Sequence, residues 1–211
     1  MIGKVVAFDG TTMLISAQYD NTLEYIRKNI TECEIRLDDG RRISADQRKK
    51  IYALFRDISL WSGHEPDEVK ALLKYEYIAR TGAEYFSLSD TDMTTAREFL
   101  EFLIEFCISE DIPTKDSLIN VTPDISRYIY CCLLHKKCCI SGKKAELHHV
   151  DAVGMGRNRK DIIHAGYRVM PLSRIYHTEA HTIGQKTFED KYKVYGIKLT
   201  DELCGIWKVK G

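Results

Sequence analysis

Five of the seven histidines in this chain fall between residues 148 and 181. His148 and His149 are adjacent, and His177 and His181 are four residues apart in a stretch that favours a helix. Residues at i and i+4 lie on one helix face. The pattern therefore predicts three neutral imidazoles that hold a divalent metal, beside a fourth that takes a proton from water. Phosphodiester hydrolysis needs this pairing of Lewis acid and general base.

The composition is that of a soluble globular protein, with 211 residues that are 44% hydrophobic and 29% charged. This length allows one domain or two small ones. No apolar run approaches the 18 residues of a membrane-spanning helix, and the N-terminus lacks the layout of a signal peptide. Seven cysteines without an export signal predict a cytoplasmic protein with reduced thiols.

The net charge of zero conceals a strong asymmetry along the chain. Residues 1–134 carry 16 Lys and Arg against 23 Asp and Glu, whereas residues 135–211 carry 15 against 8. A basic, histidine-rich segment suits a polyanionic partner such as DNA, although charge also varies along chains that bind no nucleic acid. The candidate DNA-binding residues are Arg157, Arg159, Lys160, Arg168 and Arg174, of which the first three lie in a glycine-containing loop that can approach a phosphate backbone closely.

Turn and cap signals divide the chain into an α+β unit over residues 1–112, a linker over 113–123 and a C-terminal domain over 124–211. In the first unit they predict four strands, at residues 4–8, 12–17, 33–37 and 85–88, of which the first two form a hairpin. They also predict four helices, at residues 21–29, 44–63, 66–82 and 89–112. For the C-terminal domain they predict a helix over 124–135 and a tail of mixed helix and turn over 188–209.

Residues 136–184 resemble the HNH endonucleases, the ββα-metal family. The matching segments are Leu147-His148-His149-Val150, residues 168–172 and residues 177–181, in the order strand, loop, strand, helix. The resemblance implies that His148, His177 and His181 are metal ligands and that His149 is the catalytic base. The colicin-type nucleases are the closest chemical analogue, because they share the all-histidine ligand set. The implied cofactor is one divalent ion, Mg²⁺, Mn²⁺, Ni²⁺ or Zn²⁺.

Several positions depart from the HNH pattern. Ser141, Ser173 and Tyr176 stand where many family members have cysteines of a structural zinc site, so no four-cysteine zinc site is expected. The pairs Cys131-Cys132 and Cys138-Cys139 fit helix-core positions better than zinc ligands. The asparagine typical of the family is also missing, since Arg168 falls near its position. Asn158 and His164 are the candidates for orienting His149.

Residues 32–112 resemble the phage NinB/Orf recombination mediators, chiefly through residues 42–59. This resemblance implies a homodimer that binds single-stranded DNA, and the whole chain resembles phage-encoded HNHc nucleases of the host-cell cytoplasm. This segment has five basic residues near the start of a predicted helix, Arg41, Arg42, Arg48, Lys49 and Lys50. They form either a phosphate-binding face or an ordinary solvated helix surface. The aromatic residues Tyr52, Phe55 and Trp61 are expected in the core rather than on a base-stacking surface.

The leading functional hypothesis is a divalent-metal-dependent DNA endonuclease of phage recombination or replication, acting on single-stranded, branched or duplex DNA. The first alternative is a non-catalytic, single-strand-binding recombination mediator with a degenerate HNH fold. The second is a structural zinc protein, which would need a closed tetrahedral site.

Overall fold

The computed structural model describes residues 3–17, 40–151 and 163–210. The chain forms two compact units, residues 1–39 and residues 40–211. In the first unit, strands β1 (Gly3–Phe8) and β2 (Met13–Ala17) pair in antiparallel fashion, as the sequence predicts. Asp9 accepts hydrogen bonds from the backbone of Thr11 and Thr12, and Gly10 takes a positive φ of 98° in the turn. The helix predicted at 21–29 and the strand predicted at 33–37 lie outside the described residues.

The second unit opens with helices α1 (Ala45–Ser62) and α2 (Pro66–Thr81), both confirmed. Ser44 and Gln47 form a capping box at the start of α1, which satisfies two of the backbone N–H groups that a helix start leaves unpaired. Gly63 and Gly82 end the two helices in the left-handed conformation. These local signals explain why the boundaries could be predicted.

The prediction of a strand at residues 85–88 is wrong. Residues 82–87 form no regular element, and a turn follows at 88–90. Buried Lys74 donates from Nζ to the carbonyl of Phe86 at 2.5 Å, so this carbonyl is paired with a side chain rather than with a neighbouring strand. Helix α3 starts later than predicted, at Met93, with Asp92 accepting from the backbone of Thr95, and it ends at Ser109.

Helix α3 lies at the centre of the core. Phe99 is fully buried, and its ring packs 5.3 Å from that of Tyr77 and 5.2 Å from that of Phe86 between centroids. Helices α1 and α2 contact α3, and so does α5 (Ile125–Leu134). Both apolar sides of α3 are therefore covered within one chain. Of the aromatic residues expected in the core, Phe55 is buried, whereas Tyr52 and Trp61 are 39% and 47% exposed, so that prediction is wrong for these two.

The C-terminal part contains a short antiparallel sheet with the strand order β3-β4-β5. The three strands are β3 (Glu146–His149), β4 (Arg168–Leu172) and β5 (Ile197–Lys198). The helices of this part, besides α5, are the short α4 (Leu118–Val121) that precedes it, α6 (Arg174–Ile183), α7 (Gln185–Tyr192) and α8 (Asp201–Trp207). The predicted order of strand, strand and helix is confirmed by β3, β4 and α6, and the helix predicted at 124–135 by α5. The sequence did not predict β5.

One hydrophobic core runs from Ile43 to Cys204. The predicted linker contains α4, and the backbone N–H of Lys115 within it donates to Asp57 of α1. Residues 40–211 thus pack as one unit, and the division into independent domains at 113–123 stays a prediction. Among the described residues, no helix has the length and apolar character needed to cross a lipid bilayer.

The four cysteines of the two vicinal pairs are buried. Cys131 and Cys132 lie on α5, as expected for helix-core residues, and burial raises the pKa of Cys131 to about 12. Cys138 and Cys139 are also buried in the core region, but they follow the helix in a turn, so their assignment to a helix is wrong. The sulfur of Cys138 accepts a hydrogen bond from the backbone of Ser141.

Candidate metal centre and catalytic cavity

Three of the predicted site histidines converge between β3 and α6. Successive strand residues face opposite sides of a sheet, so β3 directs His148 inward, where it is 2% exposed, and leaves its neighbour His149 half-buried. His177 and His181 stand one turn apart on α6. One nitrogen from each of the three rings lies within 4.8 Å of the other two. The structure thus brings together the three residues predicted to be ligands.

His148 has one ring nitrogen with a partner and one without. Its Nε2 is 2.8 Å from Oε1 of Gln185, whereas its Nδ1 is buried and has no hydrogen-bond partner among the described residues. An unpaired buried nitrogen is costly, and a metal ion would satisfy it. Burial lowers the pKa of His148, which favours the neutral imidazole that binds metals. The residues present therefore fit a divalent metal.

Glu146 is not one of the three predicted metal ligands, but it is hydrogen-bonded to one of them, His177. Its Oε2 is 2.9 Å from Nδ1 of His177 and 3.2 Å from a guanidinium nitrogen of Arg174. The hydrogen bond with His177 has the larger effect in lowering the pKa of Glu146, and the hydrogen bond with Arg174 lowers it further, so Glu146 stays ionised. A carboxylate on the second nitrogen of a metal-binding histidine is a common arrangement in metal sites. Sequence reasoning missed Glu146, although its place two residues before His148 puts both on one face of β3.

His149 faces the same cavity as the three clustered histidines. The cavity has a volume of about 550 Å³, and His148, His149, His164, His177 and His181 are among its lining residues. Nε2 of His149 is 2.9 Å from Nδ1 of His164, a hydrogen bond in which one nitrogen donates and the other accepts. The backbone N–H of buried His164 donates to the carbonyl of Lys210. Of the two predicted orienting residues, His164 contacts His149, and Asn158 lies outside the described residues.

The candidate DNA-binding residues have different surroundings. Arg168 forms two hydrogen bonds from its guanidinium to Asp151, at 2.9 and 2.7 Å, and Arg174 pairs with Glu146. Both arginine side chains remain more than half exposed, so they stay accessible to solvent. Arg157, Arg159 and Lys160 lie outside the described residues.

Ser173 and Tyr176, where the HNH resemblance led us to look for a second cysteine pair, have other roles in this chain. Ser173 is the N-cap residue of α6 and is almost fully buried. The ring of Tyr176 packs edge-on against that of Tyr192, with centroids 5.3 Å apart. Tyr192 also donates to Glu179 and so ties α7 to α6. At these positions α6 is held by packing and hydrogen bonds.

Comparison with known proteins identifies the family. Neither the curated proteins nor the solved structures give a significant match to this chain. The profile of one protein family, described as "Putative HNHc nuclease", matches residues 18–210. HNH nucleases use a divalent metal, for which the three-histidine group provides suitable ligands. The match covers nearly the whole sequence, and the chain therefore belongs to this HNHc nuclease family.

Proposed function

We propose that this protein is a divalent-metal-dependent DNA endonuclease in which His148, His177 and His181 hold the metal and His149 is the general base. One observation carries the proposal. The three clustered imidazoles and His149 line a single cavity, so a metal-bound phosphate and a proton acceptor can meet there. Family membership supports the same reaction class.

When bound, the divalent ion would supply Lewis-acid stabilisation of the scissile phosphate and of the leaving 3′ oxygen. His148, His177 and His181 would hold it through neutral nitrogens. Imidazole donors favour Mn²⁺, Ni²⁺ or Zn²⁺ over Mg²⁺, which prefers oxygen. Mg²⁺ stays among the candidates because phosphate adds oxygen ligands.

His149 takes the proton from the attacking water in this proposal, and His164 keeps its ring in place through the 2.9 Å hydrogen bond. The water oxygen then attacks phosphorus in line with the departing 3′ oxygen. The departing 3′ oxygen takes a proton from solvent, so the products are a 5′-phosphate and a 3′-hydroxyl end. His149 must be neutral to accept the proton.

Removal of the metal tests the proposal directly. We expect a chelator to abolish plasmid nicking by the full chain, and addition of Mn²⁺, Ni²⁺, Zn²⁺ or Mg²⁺ in excess to restore it with at least one of these ions. His148→Ala should stay inactive under the same conditions, because a ligand is lost. Nicking that persists in chelator would contradict metal-dependent hydrolysis. Tight DNA binding without cleavage under every metal would instead favour the non-catalytic, single-strand-binding alternative.

DNA binding should depend on salt through the basic loop. We expect simultaneous replacement of Arg157, Arg159 and Lys160 with alanine to reduce the slope of log affinity against log salt by about 0.7–0.9 for each lost phosphate contact. A fluorescence titration of labelled DNA at several salt concentrations measures the slope.

The matched control removes three arginines that form ion pairs with glutamates elsewhere, Arg80, Arg97 and Arg127. This variant should keep the wild-type slope. Equal slopes for all three proteins would mean that the loop cations do not contact phosphate.

A homodimer and a role in phage recombination are further parts of the proposal, and both rest on the resemblance of residues 32–112 to the NinB/Orf mediators. The apolar residues of α3 pack mainly within the chain, so this helix gives no independent support for a dimer. Light scattering of the full chain at tens of micromolar is expected to give twice the monomer mass. A monomer mass would contradict the proposed homodimer.

A further inference from the structure

Two residues at the start of α7 bear on the orientation of His148. Gln185 is the first residue of α7, and Glu189 follows one turn later. Oε1 of Gln185 lies 2.8 Å from Nε2 of His148, and Nε2 of Gln185 donates to Oε1 of Glu189 at 2.9 Å. The amide of Gln185 thus bridges His148 on β3 and Glu189 on its own helix.

The direction of these hydrogen bonds follows from what each group can donate. A carboxylate only accepts, so Glu189 requires the NH₂ group of Gln185 to point toward it. The amide oxygen of Gln185 then faces His148 and can only accept. His148 must therefore carry its proton on Nε2, which leaves a bare lone pair on the buried Nδ1.

The same reasoning applies to His177 and gives the opposite tautomer. Glu146 accepts at Nδ1 of His177, so the proton of that ring is on Nδ1 and the lone pair is on Nε2. The two rings come from different elements, and their centroids are 4.8 Å apart. Each ring is thus held by one acceptor, on the nitrogen that would not bind metal.

We propose that Gln185 and Glu189 are positioning residues that fix the tautomer and ring orientation of His148, as Glu146 does for His177, so that the metal is bound by Nδ1 of His148 and Nε2 of His177. This inference rests on the proposed function, because it assumes that the histidine group holds a metal. Loss of an outer hydrogen-bond partner typically weakens metal affinity by about 10–100-fold. Gln185→Leu should fall in that range, since it removes the acceptor at nearly constant volume.

The experiment uses the full chain and Zn²⁺ as the probe, with affinity measured by competition against a chromophoric chelator. We expect Gln185→Leu to bind Zn²⁺ about 10–100-fold more weakly than the wild type. The double variant Gln185→Glu with Glu189→Gln exchanges the two groups. It keeps an acceptor for His148 and a donor between the two helix residues, so affinity should return to near the wild-type value.

A matched control comes from α6, where Glu179 accepts from Lys191 and Tyr192. Glu179→Gln should leave Zn²⁺ affinity unchanged. Tautomers provide a second readout that needs no metal. Long-range ¹H–¹⁵N correlation spectra of the metal-free protein should show His148 protonated at Nε2 and His177 at Nδ1, and Gln185→Leu should change only the first.

The outcomes separate this inference from the proposed function. Zn²⁺ affinity within twofold of wild type in Gln185→Leu, failure of the exchanged pair to restore a lost affinity, or His148 protonated at Nδ1 in the wild type would each overturn the positioning role. His148→Ala in the same titration tests the metal site itself. Unchanged affinity in that variant would reject the site, whereas loss there with no loss in Gln185→Leu would reject only the role of Gln185 and Glu189.

Discussion

Replacing His149 with alanine is expected to lower the rate of DNA cleavage by about 10²–10⁴-fold, the usual contribution of a general base. Metal affinity should stay within twofold of wild type, because His149 is not one of the three clustered histidines and its Nε2 is hydrogen-bonded to His164. Single-turnover cleavage of a labelled duplex, with metal in excess, measures the rate. Chelator competition measures the affinity.

The control for this variant is His64→Ala, which removes an exposed histidine beside Glu68 at the end of α1. It should cleave at the wild-type rate. Near-normal turnover of His149→Ala at neutral pH would exclude His149 as the base, and loss of metal affinity in that variant would mean that the roles of His148 and His149 were assigned incorrectly.

Alanine at His177 or His181 is expected to weaken metal affinity by more than roughly 100-fold, because a direct metal ligand is lost. Removing only a hydrogen-bond partner of a ligand typically weakens affinity by up to about that factor. Cleavage should fall in parallel at limiting metal. Isothermal titration calorimetry with Zn²⁺ or Mn²⁺ gives the affinity. The two variants should behave alike, since both residues project from one face of α6.

Thr182→Ala is the matched control on the same helix, next to His181, where the threonine hydroxyl only donates to the carbonyl of Thr178. Its metal affinity should not change. If His177→Ala or His181→Ala keeps the wild-type affinity, that histidine is not a ligand, whatever the effect on cleavage.

The parts of the fold that could be predicted from the sequence are those encoded by neighbouring residues. Ser44 with Gln47, and the glycines at 63 and 82, mark helix ends through contacts a few residues long. The segment at residues 85–88 misled the prediction because its alternating pattern suggests a strand. The carbonyl of Phe86 accepts a hydrogen bond from Lys74, twelve residues away, and no local pattern reveals that contact.

The same distinction between local and distant contacts explains which site residues could be predicted from the sequence. The spacing of His177 and His181 is a helix repeat, and His148 is adjacent to His149, so their grouping was predictable. Glu146 and Gln185 are 31 and 37 residues from the histidines they contact. Those contacts exist only once α6 and α7 have packed against β3. The sequence left Asn158 and His164 as alternative candidates for orienting His149, and only the structure shows that His164 lies beside it.

The continuous core from Ile43 to Cys204 has a thermodynamic consequence for the proposed metal. A ligand that binds only the native state stabilises every element that unfolds together with its site, by RT ln(1 + [L]/Kd), or about 2.7 kcal/mol at a ligand concentration of 100 Kd. Because α3 packs on α5 within that core, metal loading at β3 and α6 would also protect α1, α2 and α3 against unfolding. Metal binding would then affect the stability of these three helices as well as the activity of the histidine site.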